Sequence, residues 1–231
     1  MENNQTPIVM RFKFKKVGKL QFISHLDLVR TMHKVIVRAG LPLWYTEGFN
    51  PKPKMVFAAP LSTGTESVTE FMDLRLSEVI PPEEALAALN KNMTDELQVL
   101  SAWYPKTKPT DLKWLSYTIT VSSPAIDGAM VEATDAALSL PEIRIIKRTK
   151  SGDQEVDIRP MIHSASAALS APGVMRISCT LSADSQSFLN PEYVIKYLRD
   201  RVGLLTSENL LSESYSIMRE NAYTADMAEF I

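Results

Sequence analysis

His25, His33 and His163 are the side chains in this sequence suited to proton transfer or metal ligation near neutral pH. No two stand at i, i+4 spacing, so no helical metal pair is encoded. His25 sits in the first turn of an expected helix, where it is either a candidate for ligand contact and acid–base work or a solvent-exposed first-turn residue. His33 falls on the apolar stripe of the same helix and reads as a satisfied core histidine. His163 has no evident companion. The motifs G-x-S-x-G, G-x-x-x-x-G-K-[ST] and G-x-G-x-x-G are absent. With Cys179 as the single cysteine, this chain alone builds no disulfide, no Cys-rich zinc site and no cysteine-ligated iron–sulfur cluster. No metal or cofactor is therefore expected on it.

Cations offer a clearer pattern, and the chemistry they imply is anion recognition. Residues 1–60 carry ten Lys and Arg against three Asp and Glu, although the whole chain has a net charge of −2. Lys13 and Lys15 share a strand face with Arg11, and Arg30, Lys34 and Arg38 recur at i, i+4 and i+8. Lys52 and Lys54 lie in "WYTEGFNPKPKMVFAAPL", residues 44–61, where Pro51 and Pro53 stiffen a basic elbow. Tyr45, Phe49 and Phe57 add aromatic surface, and Asn50 a polar side chain. Cations track a phosphate backbone and exposed rings stack on unpaired bases. Arg30, Lys34, Arg38, Tyr45, Phe49, Asn50, Lys52 and Lys54 are thus the candidate contacts for RNA or a partner protein. A solvated basic face is the plainer alternative. Glu47, Glu66 and Glu70 are expected to pair with Lys52 or Lys54.

These residues need elements to position them. Ile8–Lys16 alternates as a half-buried strand. Ser24 and Asp27 approximate a capping box, and Leu26, Val29, Met32, His33 and Ile36 mark the buried face of a helix ending before Gly40. Strands are expected at 41–46, 54–59, 68–76 and 97–103, with a helix from Pro81 to about Asn92. Residues 106–112 read as a linker between domains 1–105 and 113–231. The second half repeats the order: strand 114–121, a helix from Ser122 to about Leu138, and strand 142–147. There follow a hairpin turn at Lys150–Asp153, strand 154–158 and a short helix at 161–168. Strand 174–181, a helix from Asn190 to Val202 and strand 213–219 complete it. Both halves run strand–helix–strands–helix–strand, so the expected fold class is α+β: two tandem ferredoxin-like (split β-α-β) sandwiches with antiparallel sheets. No stretch reaches the ~18 apolar residues of a membrane span, and the polar Met1–Pro7 has no signal-peptide core, so the expected compartment is the cytoplasm.

The segment "GKLQFISHLDLVRTMHKVIVRAGLPLWYTEGFNPKPKMVFAAPLSTGTES" closely resembles the bacterial radical SAM-linked protein family. That family is a domain of unknown function, found alone or fused to radical SAM enzymes. The resemblance is close over residues 8–76 and looser to about residue 220. It rests on Phe22, Ser24-His25, Asp27, Arg38-Ala39-Gly40, Gly48-Phe49-Asn50-Pro51, Pro53, Pro60-Leu61, Gly64 and Glu66. The resemblance implies an accessory protein of a radical SAM enzyme acting on tRNA or rRNA. S-adenosylmethionine and the iron–sulfur cluster would then sit in the partner. The same segment weakly resembles the CRISPR repeat-processing endoribonucleases, which are tandem ferredoxin-like domains. His25 or His33 stands in for their helix histidine, but no glycine follows Gly203 to form their C-terminal glycine-rich loop. A His25-dependent RNA-processing or modifying enzyme and a pure protein–protein adaptor are the alternatives to the accessory role.

Overall fold

Alternation of apolar and charged residues makes β1, Ile8–Lys16, with Met10, Phe12 and Phe14 on one face and Arg11, Lys13 and Lys15 on the other. The computed structural model describes residues 6–149, 152–209 and 211–231. A 3-10 turn at Gly18–Phe22 leads to Ser24, whose hydroxyl accepts from the Asp27 N–H at 3.1 Å and starts α1, His25–Arg38. Then come β2, Met55–Phe57; β3, Thr65–Leu76; α2, Pro82–Asn90; and β4, Leu97–Trp103. Pairing is antiparallel throughout: β1 lies between β3 and β4, and β2 joins β3, giving the order β4-β1-β3-β2. Both helices cover the apolar face of this sheet. Leu28, Met32, Val35 and Ile36 of α1 and Ala85 and Leu89 of α2 share one core with Phe12, Met72, Leu74 and Val99.

The chain forms two compact units, one up to Leu112 joined by Glu229–Ile231, the other Lys113–Ala228. Residues 106–112, expected as a linker, are folded into the first unit. Thr107 accepts from Arg11 Nη1 at 2.7 Å, and Asp111 accepts from the Lys108 N–H at 2.8 Å to close the 3-10 turn Pro109–Asp111. The last three residues likewise belong to the first unit. Phe230 lies under the Arg11 guanidinium, 4.4 Å from its carbon, and edge-on to Phe71 at 5.0 Å. Arg11, expected on a solvated basic face, is instead completely buried, with Nε and Nη2 donating to Asp73 at 2.7 and 2.9 Å.

The second unit contains β5, Trp114–Ser122; α3, Gly128–Leu138; β6, Arg144–Thr149; and β7, Gly152–Asp157. It continues through β8, Ile162–Ala171; β9, Val174–Ser182; α4, Glu192–Val202; and β10, Ser214–Tyr223. Its sheet runs β10-β5-β9-β8, all antiparallel, and among the described residues β6 pairs with β7 alone. Buried residues alternate along β5 and the first part of β9, whose residues 179–182 are all buried, and the Tyr197 hydroxyl of α4 donates to the Ala137 carbonyl of α3 at 3.2 Å. The hairpin turn expected at Lys150–Asp153 falls partly on residues 150 and 151, outside the described residues.

Three local expectations fail for physical reasons. Of residues 161–168, expected as a helix, 162–168 form most of β8 and Met161 ends a 3-10 turn, Arg159–Met161. Their alanines favour helix alone, but pairing with β9 through a turn at Gly173, with φ of +74°, outweighs a propensity worth only tenths of a kcal/mol per residue. α3 begins at Asp127, whose carboxylate caps the Met130 N–H at 2.8 Å, while Ser123 instead donates to Glu213 at 2.7 Å. Residues 41–46 form no continuous strand: they pair through the isolated bridges Leu43 to Leu76 and Tyr45 to Pro53 and a few backbone hydrogen bonds around them.

Cys179 faces the core of the second unit, and burial pushes its thiol up to about 12 from an ordinary 9.0. The folded protein is expected to resist thiol reagents at pH 8.5, and the unfolded chain to expose one reactive thiol. The sign of the linkage follows from the raised value: between pH 9 and 12 the unfolded chain loses a proton that the folded one keeps. The cysteine's contribution to stability therefore falls as pH rises through that window. Urea titrations of wild type and Cys179→Ala should converge in this way as pH rises.

Candidate nucleic-acid interface

α1 carries more apolar residues than its sheet can cover. Leu28, Met32, Val35 and Ile36 are buried, whereas Leu26 is 57% exposed and Val29 and His33 are half-buried. Of the expected core face, Met32 and Ile36 are buried, but the covered face is turned toward Leu28 and Val35, so Leu26, Val29 and His33 fall outside it. Leu26, Val29 and His33 form a second stripe facing the elbow, and a groove of about 590 Å³ opens there. Leu26, Val29, Pro53 and Met55 give it an apolar floor, and Arg30, Lys34 and Lys52 stand around it with the His33 ring.

The elbow is held as a narrow hairpin. The Thr46 N–H donates to the Lys52 carbonyl at 2.9 Å, the Lys52 N–H donates to the Thr46 hydroxyl at 3.1 Å, and the Lys54 N–H donates to the Trp44 carbonyl at 3.2 Å. Arg75 in turn donates its N–H to the Lys54 carbonyl at 3.0 Å, anchoring the base of the hairpin to β3. Gly48, with φ of +121°, lets the tip reverse. Phe49 at that tip is fully exposed.

Of the expected contacts, Arg30, Lys34 and Lys52 come together around one groove. Tyr45, Phe49, Asn50 and Lys54 lie on the same hairpin, exposed, without lining it, and Arg38 is exposed at the end of α1. Arg30 shares its charge with Asp27 at 3.1 Å, and the Ser24 hydroxyl, then Arg30, hold that carboxyl below its ordinary range. Lys34 and Lys52 have no ion-pair partner among the described residues. Glu66 does not pair with the elbow lysines; it accepts from the Gly18 N–H at 2.6 Å, and Glu70 is buried in β3.

The histidines also differ from expectation. His33 lines the groove, and its Nε2 is buried without a hydrogen-bond partner among the described residues, so it is not a satisfied core histidine. His25 stacks edge-on to Phe57 at 5.3 Å, with its Nδ1 likewise unpartnered. Phe57 packs against Phe14 at 6.1 Å and is not free aromatic surface. His163 packs on Trp114 at 5.3 Å in the second unit. Sequence reasoning missed the groove floor, whose signal was the excess of apolar positions on α1. Among the described residues, no helix is long and apolar enough to cross a membrane.

None of the curated proteins compared with this chain matches it. Among solved structures, the crystal structure of a Cbf5-Nop10-Gar1 complex contains a similar chain, with a TM-score of 0.50 and 9% identity over 92% of this chain. The chain spans about half the length of that one (48%), and at this identity the likeness concerns the fold alone. A family model matches residues 10–191, and the chain thus belongs to the family described as "uncharacterized protein conserved in bacteria (DUF2344)".

Proposed function

We propose that this protein is a non-catalytic accessory protein that binds RNA through the groove of its first unit and serves a partner enzyme. The observation that carries the reading is the convergence of Arg30, Lys34 and Lys52, from a helix and a proline-stiffened hairpin, on one open groove. Cations held at fixed spacing around a cleft bind a polyanion by releasing its counterions. The resemblance of residues 8–76 to radical SAM-linked proteins supports a radical SAM enzyme as the partner, which would hold the cluster and S-adenosylmethionine. We also read each unit as a ferredoxin-like sandwich. The strand orders β4-β1-β3-β2 and β10-β5-β9-β8 support this, with β6–β7 as an insertion in the second.

A gel shift with total tRNA and rRNA fragments at two salt concentrations tests the RNA reading. Three phosphate contacts predict a slope of log K against log salt of about −2 for single strands. Absence of binding at low salt, or binding indifferent to salt, would remove the proposal.

A further inference from the structure

We infer that the groove between α1 and the 44–55 hairpin takes an unpaired nucleotide, so that the RNA recognised is single-stranded. This rests on the RNA-binding reading above and adds the form of the ligand. Duplex RNA offers phosphates and sugars outward and keeps its bases stacked inside. A site for phosphates alone has no use for an apolar floor. Here Leu26, Val29 and Met55, beside a buried Pro53, present apolar surface that a ligand with an apolar face would remove from water. Two planar groups, the His33 ring and the Arg30 guanidinium, stand in the same lining, and unpaired bases stack on such planes. Lys34 and Lys52 supply charge for the flanking phosphates. A volume of about 590 Å³ is the size of a small-ligand site.

The hairpin tip adds an independent observation. Phe49 is fully exposed on a turn held by Pro51, Pro53 and the paired Thr46 and Lys52. An exposed ring with only two side-chain torsions, carried on a hydrogen-bonded turn, presents a stacking platform at small entropic cost, so Phe49 is assigned to the base beyond the groove.

Fluorescence anisotropy would compare a labelled oligouridylate of about 12 nucleotides with the same strand annealed to its complement, at about 50 mM salt. The single strand is expected to bind at least about tenfold more tightly. Phe49→Ala should weaken single-strand binding roughly 5- to 150-fold while leaving duplex binding and the melting curve unchanged. Leu26→Gln, at an exposed position of the floor, should weaken the single strand in the same selective way. If duplex binds as well as single strand, or if neither variant changes single-strand binding, the inference falls and RNA binding stands. If neither RNA binds, or an acidic amphipathic peptide occupies the groove in their place, both fall.

Discussion

Asp73→Ala is expected to destabilise the first unit by about 3–5 kcal/mol, the cost of leaving a buried charge without its partner. Arg11 is wholly buried and Asp73 nearly so, and the pair is bidentate. Two of the three remaining guanidinium N–H groups donate to the Thr107 hydroxyl at 2.7 Å and its carbonyl at 3.1 Å, with Phe230 closing the face. Removing the carboxylate strands a desolvated cation, so Tm should fall by roughly 15 °C or more. Exposure makes the contrasting case: Asp184→Ala, which breaks the half-exposed pair with Lys113, should cost no more than about 1 kcal/mol. Arg11→Met combined with Asp73→Leu should recover part of the loss, because the penalty lies in the unpaired charge. Urea denaturation of the four proteins decides the matter. A loss below about 1 kcal/mol for Asp73→Ala would mean that water reaches the site and that the pair is not desolvated.

Lys34→Glu combined with Lys52→Glu should reduce RNA affinity by about a hundredfold at 50 mM salt and lower the salt slope by about 1.4, if each lysine meets one phosphate. These two are the right pair because Arg30 is already partly neutralised by Asp27. Both side chains are exposed, so the folded state should be unaffected, and an unchanged melting curve would separate a binding defect from a folding one. Charge reversal at Arg38, exposed at the end of α1 and outside the groove lining, is expected to have a much smaller effect. Equal effects at Arg38 and at the lysine pair would mean a diffuse basic face and no defined groove.

Much of this architecture is legible in the chain. Alternation reveals β1, β4, β5 and β9 within a residue or two, since a strand with one covered face repeats every second position. Ser24 with Asp27, Asn190-Pro191 and Gly203 mark helix ends, because capping is local chemistry. The basic spacing of Arg30 and Lys34 and the prolines around Lys52 likewise point to the groove's charged side. The hidden parts depend on partners distant in sequence. Arg11 looks like an exposed cation until Asp73, Thr107 and Phe230 surround it. The alanines of β8 look helical until β9 pairs with them. Leu26 and Val29 look like core until the sheet turns out to take Leu28 and Val35.

Most elements, their order and the placement of positive charge at one end are written in short segments of the chain, because periodicity, caps and charge are local properties; β8 is an exception. Which cations are solvated and which are buried, and which apolar stripe of α1 meets the core, depends on contacts made across the fold. Those outcomes turn on desolvation and packing between residues up to some two hundred positions apart, as with Arg11 and Phe230.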